Sequence, residues 1–256
     1  MLVRNPSQLV DAFALETHRY VYLIGGGGKT SLMFTLARLL GSTGRSVITT
    51  TSTRIRYPQP MESDRVVVAP FDADLIDRLR VEFADRRHIT VAPSLLHGEK
   101  KLCGLNPDYL DALADAGVAD YLLVEADGAA GRSLKAHRDY EPVLSARADL
   151  VIIVIGVDCL GQPMNDLHVH RAALLCERLS RPPESLITPD DVAAIVFHRE
   201  GYLQRVGRDS AVAVFLSKVV TPAAESRARE VAEALQRLDR EQRISAVVTG
   251  DLGGVV

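Results

Sequence analysis

Seven consecutive residues, Gly25-Gly26-Gly27-Gly28-Lys29-Thr30-Ser31, have the composition of a phosphate cradle. Glycine lacks the Cβ that blocks close backbone approach, so successive N–H groups can turn inward around phosphate oxygens while a following helix presents its positive end. In that arrangement Gly25 to Gly28 surround the phosphates, Lys29 reaches the β- and γ-phosphates, and Thr30 supplies a hydroxyl to Mg²⁺. Ser31 completes the cofactor-binding set. The usual G-x-x-x-x-G-K-[ST] spacing asks for glycine six residues before the lysine, where this chain has Leu23. That departure predicts a shorter or differently bent loop. The plainer alternative is a flexible strand-to-helix turn, but four glycines followed by Lys-Thr are costly to order without a ligand.

A second chemical signal is the apolar run from Tyr121 that ends in Val124-Glu125-Ala126-Asp127-Gly128. Acids at the end of a strand can hold Mg²⁺ directly or through water, and Glu125 and Asp127, two apart, share one side of an extended backbone. Thr30, Glu125 and Asp127 are therefore the candidate metal ligands, and Lys29, Glu125 and Asp127 the candidate catalytic groups. The run Thr49-Thr50-Thr51-Ser52-Thr53-Arg54 is either simple strand propensity or a hydroxyl-rich strand end facing the ligand. Thr51 and Thr53 are its candidates, with Arg54 either an anion partner or a solvated cation. Arg132, Lys135, His137 and Arg138 follow the acids closely. They are either cations that neutralise a γ-phosphate or anionic second substrate, Arg132 and Lys135 foremost, or a charged surface loop. His168 and His170, followed by Arg171, could share a metal only on an extended backbone, and hydrogen bonding suits them better. Phe215-Leu216-Ser217-Lys218 partly matches the guanine-reading N/T-K-x-D element, but Val220 stands where the aspartate would be. The choice between ATP and GTP stays open.

Short β-branched runs alternate with helical patterns along the chain, the sequence form of a parallel sheet covered on both faces. The fold class is α/β: a three-layer, P-loop NTPase-like fold with a mainly parallel sheet. Strands are expected at Tyr20 to Ile24, Ser46 to Thr51, Val66 to Ala69, His88 to Ala92, Tyr121 to Glu125, Leu150 to Gly156, Val212 to Ser217 and Ile244 to Thr249. Helices are expected at Lys29 to Leu40, Asp72 to Ala84, Pro107 to Ala116, Leu167 to Leu179, Pro189 to Phe197 and Pro222 to Leu238. Three of them begin with Pro, preceded by Asn106, Thr188 and Thr221 as side-chain caps. The stretches Tyr57 to Asp64, Pro93 to Leu105, Ala126 to Ala148 and Val157 to Asp166 read as irregular. All follow strands, where open α/β sheets bind ligands. The whole chain, 1–256, reads as one domain with a helical insertion near 167–206.

Composition narrows the function further. With 256 residues, 47% hydrophobic and 25% charged, the chain suits a globular protein with a substantial core. Thirty basic and 33 acidic residues give a net charge of −3, so a general nucleic-acid partner is not expected. Cys103, Cys159 and Cys176 are an odd number without CxxC spacing, which argues against a disulfide framework or zinc ribbon and for a cytoplasmic location. The longest apolar stretch, Leu150 to Val157, is far short of the roughly 20 residues a membrane span needs. No membrane partner is expected.

These residues resemble the YqeC-type accessory proteins of selenium-dependent molybdenum hydroxylases, a small P-loop family. The resemblance runs from GGGGKTS through TTTSTRI and VEADGAAGRSLKAH to the GVDCLGQPM…HVHR region, with the VEADGA…LKA block its most specific part. It implies a nucleotide-binding protein, with ATP or GTP and Mg²⁺ as cofactors, that assists maturation of molybdenum hydroxylases. Its partners would be the hydroxylase or its cofactor-maturation enzymes. The leading expectation is a Mg²⁺-dependent NTPase. The alternatives are a small-molecule kinase or ATP-dependent ligase, and a non-enzymatic nucleotide-sensing adaptor.

Overall fold

A computed structural model describes residues 1–96 and 98–252. The strands in chain order are β1 (Leu2–Val3), β2 (Tyr20–Gly25), β3 (Val47–Thr51), β4 (Arg54–Arg56), β5 (Arg65–Val68), β6 (His88–Ala92), β7 (Leu95–Leu96), β8 (Lys101–Cys103), β9 (Tyr121–Glu125), β10 (Leu134–Lys135), β11 (Leu150–Gly156), β12 (Val169–His170), β13 (Ala211–Ser217) and β14 (Ala246–Gly250). The helices are α1 (Gln8–Ala12), α2 (Lys29–Ser42), α3 (Ala73–Glu82), α4 (Pro107–Asp115), α5 (Ala172–Leu179), α6 (Pro189–Phe197) and α7 (Pro222–Leu238).

Nine strands form one sheet in the order β1-β14-β13-β11-β2-β9-β3-β6-β5, and every pairing in it is parallel. All seven residues of β11 are buried, as are five of the six in β2. Such unbroken apolar runs are what strands covered on both faces require. One core, with Leu32, Leu36 and Phe13, lies under α1 and α2. The other, with Leu75, Leu110, Val192 and Leu235, lies under α3, α4, α6 and α7. The protein is a three-layer α/β structure, and the strand that feeds the glycine run is the middle strand of the sheet.

All eight expected main strands are present, with ends displaced by up to two residues. The caps of α4, α6 and α7 form as anticipated: Asn106, Thr188 and Thr221 each accept from a first-turn amide. At α6 a reciprocal bond from the Thr188 amide to Asp191 completes a capping box. The expected helix start at Leu167 is corrected to Ala172. Val169–His170 is instead drawn out as β12 against β10, and Arg171 turns left-handed at φ 65° before the helix begins. The irregular reading of Pro93 to Leu105 is also corrected. β7 and β8 join β4 in a small antiparallel sheet that contributes Ile55 and Leu102 to the core beneath α2; His97 lies outside the described residues. Ala126 to Ala148 likewise holds β10. The N-terminal elements β1 and α1 were not anticipated. β1 pairs with β14 at the sheet edge, and Phe13 meets Phe215 edge-on at 6.0 Å.

Candidate functional site

The glycine run leaves β2 at the carboxyl end of the sheet, and its amides divide into two groups. Gly25 N–H donates to both carboxylate oxygens of Asp127, at 3.1 and 2.9 Å, Gly26 N–H to the Val154 carbonyl at 2.8 Å, and Gly27 N–H to the Arg132 carbonyl at 2.9 Å. A Cβ on Gly25 would strike the Val154 carbonyl and the Tyr202 ring. One on Gly26 would strike Arg132 and Ser133, and one on Gly27 the Gly156 backbone. The chain's own packing thus demands glycine at these three positions. Gly28 is different: it sits at φ 111° as the N-cap of α2, and a Cβ there would meet nothing within 4 Å. Among the described residues, the N–H groups of Gly28, Lys29, Thr30 and Ser31 have no hydrogen-bond acceptor, and no side chain caps the helix. Four adjacent donors at the positive end of α2 therefore remain for an anion.

Beside them lies a buried ionic cluster. Lys29 Nζ donates to the Gly25 carbonyl at 2.6 Å and pairs with Asp127 at 3.1 Å and Glu125 at 3.6 Å. Thr30 Oγ1 donates to Glu125 Oε2 at 2.5 Å. The parallel pairing of β2 with β9, in which Leu23 stands opposite Glu125, brings the glycine run and the two acids together. Asp127 also meets Lys135 Nζ at 3.2 Å and His137 Nε2 at 2.6 Å. Lys135 continues to the Gly128 carbonyl at 2.7 Å and to Glu141 at 3.4 Å, and Glu141 is gripped by Arg171 from the start of α5. Three acidic side chains thus face two lysines and an arginine, with His137 between them.

Burial shapes the protonation of each group. Burial alone would push the Asp127 carboxyl up, but Lys29, Lys135 and the His137 bond hold it well below the usual carboxylate range. Burial would depress Lys29, yet Asp127 and Glu125 raise it above an ordinary lysine. For Glu125 burial prevails over the help of Lys29 and Thr30, and its pKa is raised. Burial also prevails at Lys135 and at His137, lowering both. The three acids Glu125, Asp127 and Glu141 are matched in number by Lys29, Lys135 and Arg171, with His137 left over. Its Nδ1 is buried without a hydrogen-bond partner among the described residues, and its ring stands edge-on to Tyr202 at 4.6 Å.

The other sequence candidates are placed as follows. Thr51 Oγ1 donates to the Glu125 carbonyl at 2.7 Å and accepts from the Thr53 amide at 3.0 Å, so both residues fix the strand ends beside the acid. Arg54 is exposed at the start of β4, and Arg138 is exposed beyond the cluster. Arg132 is half-buried, its Nε donating to the Asp166 carbonyl at 2.6 Å. Ser31 faces outward on the first turn of α2. His168 and His170 lie on and beside β12, and among the described residues no group of three or more His, Cys, Asp or Glu side chains could hold a metal alone. Ser217 Oγ donates to the Gly27 carbonyl at 2.5 Å. Lys218 Nζ is engaged by Ser133 at 2.7 Å and Asp158 at 2.8 Å.

Sequence reasoning missed Glu141, Arg171 as its partner, and Tyr202. Glu141 was legible only as one of two acids, with Asp139, near the end of a basic loop. Tyr202 reaches the site through tertiary packing: its hydroxyl accepts from the Lys135 amide at 3.2 Å and its ring backs Gly25.

A family model described as YqeC protein matches residues 21–173. That stretch contains the glycine run, both acids and the cluster as far as Arg171. The chain is also 29% identical over 252 residues to the Escherichia coli (strain K12) protein described as "Uncharacterized protein YqeC". The match covers 97% of this chain and 93% of that one.

Proposed function

The chain belongs to the YqeC family, and from its site we propose that it binds a nucleoside triphosphate with Mg²⁺ and hydrolyses it in service of cofactor maturation. One observation carries the reading: the hydroxyl that follows the lysine touches the acid that ends the adjacent parallel strand, Thr30 Oγ1 to Glu125 Oε2 at 2.5 Å, beside four uncommitted amides.

The donor set fits the metal. The Thr30 hydroxyl and the Glu125 and Asp127 carboxylates are hard oxygen ligands, the kind Mg²⁺ takes, with phosphate oxygens and water completing its shell. When bound there, Mg²⁺ spreads and neutralises charge on the phosphate oxygens. The chain's residues supply the rest. The Gly28 to Ser31 amides seat the phosphates, and Lys29 exchanges its contacts with Asp127 and the Gly25 carbonyl for phosphate oxygens. Asp127 stays compensated through that exchange, because Lys135 and His137 remain on it. Glu125, whose raised pKa reflects its burial, keeps the Thr30 hydroxyl aligned.

The client we propose is a molybdenum hydroxylase or one of its cofactor-maturation enzymes, as the family resemblance carried by the VEADGAAGRSLKAH block implies. Calorimetric titration with Mg²⁺-ATP and Mg²⁺-GTP tests the binding step. The wild type should bind one of them, and Lys29→Met should weaken that binding at least about tenfold, some 1.4 kcal/mol. A folded wild-type protein that binds neither at millimolar nucleotide would overturn the proposal. Phosphate release stimulated by a hydroxylase client supports the maturation role, whereas a phosphorylated small molecule as product would replace it with a kinase.

A further inference from the structure

Ser31 belongs to two features at once. Its amide is the last of the four uncommitted donors, and its side chain borders a cavity of about 610 Å³ on the outer face of α2. Phe34 and Thr35 on the same helical stripe also line it, as do Arg56, Met61 and Leu252. The volume is that of a small-molecule site, and apolar side chains share its lining with polar ones, the charged Arg38, Arg56 and Glu62 among them. No residue of the acid cluster lines it. Thr30, one position earlier and about 100° around the helix, faces Glu125. The cavity therefore opens away from the metal end of any phosphate chain seated on the helix.

We infer that this cavity receives the nucleoside, base and ribose, of the nucleotide whose phosphates rest on Gly28 to Ser31. The inference rests on the phosphate reading above and adds to it the place where the rest of the ligand lies. An acceptor for the terminal phosphate would have to meet it beside Glu125 and Asp127, on the other side of the first turn, so the cavity does not suit an acceptor. It does suit a flat, largely apolar ring with a polar edge. The Arg56 guanidinium lies 5.6 Å over the Phe34 ring and is gripped by both carboxylate oxygens of Glu62, which fixes a planar cationic surface at the rim. At the competing position, the end of β13, the polar side chains are already engaged within the protein, Ser217 with the glycine run and Lys218 with Ser133 and Asp158.

Met61 is 88% exposed, so Met61→Asp alters the cavity wall without touching the core. The experiment compares Mg²⁺-ATP, Mg²⁺-GTP and Mg²⁺-tripolyphosphate by calorimetry on the wild type and this variant. It is followed by photolabelling with the 8-azido form of the tighter nucleotide and peptide mapping. The wild type should bind that nucleotide at least about tenfold more tightly than tripolyphosphate, and Met61→Asp should shrink the gap to about threefold or less while leaving tripolyphosphate unchanged. The label should fall on residues 59–62 or 31–38. Equal affinity for nucleotide and tripolyphosphate, an unaffected Met61→Asp protein, or label on residues 217–220 would overturn the nucleoside assignment while leaving the phosphate reading standing. If tripolyphosphate and nucleotides all fail to bind, the phosphate reading falls and takes this inference with it.

Discussion

Asp127 is the most heavily engaged side chain of the site, with two ammonium groups, an imidazole and a backbone amide upon it. The two lysines differ in kind. Lys29 sits on the first turn of α2 next to uncommitted amides, whereas Lys135 is fully buried, in β10, and bonded on both sides to the protein. Removing the second leaves Asp127 and Glu141 short of a cation in a site closed to water. Lys135→Met should therefore cost about 3–5 kcal/mol in a urea unfolding curve. A second residue-scale consequence concerns His88. It is buried against Thr49, Oγ1 to Nε2 at 2.9 Å, and burial pushes its pKa down to about 4 although Asp64 and Glu62 stand near. An unfolded histidine titrates at about 6.5. Between those values the unfolded chain holds a proton that the folded one refuses, so His88 makes stability fall as pH drops through that window. His88→Gln should lose about 2 kcal/mol less than the wild type between pH 7 and pH 5, as denaturant titrations at the two values would report.

At the level of elements, the glycine run is a piece of chain shaped by its neighbours. Gly27 holds φ 68° with the Gly156 backbone against it, so Gly27→Ala combines left-handed strain with a clash that neither backbone can relieve. The expected loss is about 2–4 kcal/mol, measurable by thermal or chemical unfolding. The strands that carry the site were legible because β2, β9, β11 and β13 are apolar runs that only a doubly covered sheet accommodates. The capped helices were legible because Asn-Pro and Thr-Pro punctuation is local chemistry. The start of α5 was not, since β12 exists only through its pairing with β10. β1, two residues long, owes its existence to β14 in the same way. Within the site, Lys29, Thr30, Glu125 and Asp127 could be read from type and spacing. The internal engagement of the Gly25, Gly26 and Gly27 amides could not, because their acceptors come from residues 102 to 128 positions further along.

Over the whole molecule, the connection between β11 and β13 carries α5 and α6 and returns to the site repeatedly, through Arg171 on Glu141, Arg178 on the His137 carbonyl and Tyr202 beneath Gly25. The Tyr202 hydroxyl is the acceptor for the Lys135 amide. Tyr202→Phe leaves that buried N–H unpaired and should cost about 1–3 kcal/mol in equilibrium unfolding. The sheet itself has a wider effect. β2 has four strands on either side of it, so the end of the molecule that carries the proposed phosphate site grows from the midpoint of the sheet and from neither edge. Edges fray first and centres last. Partial melting of the margins would leave the grip on a ligand intact, and in rising denaturant the capacity to bind would vanish at the same midpoint as the fold itself.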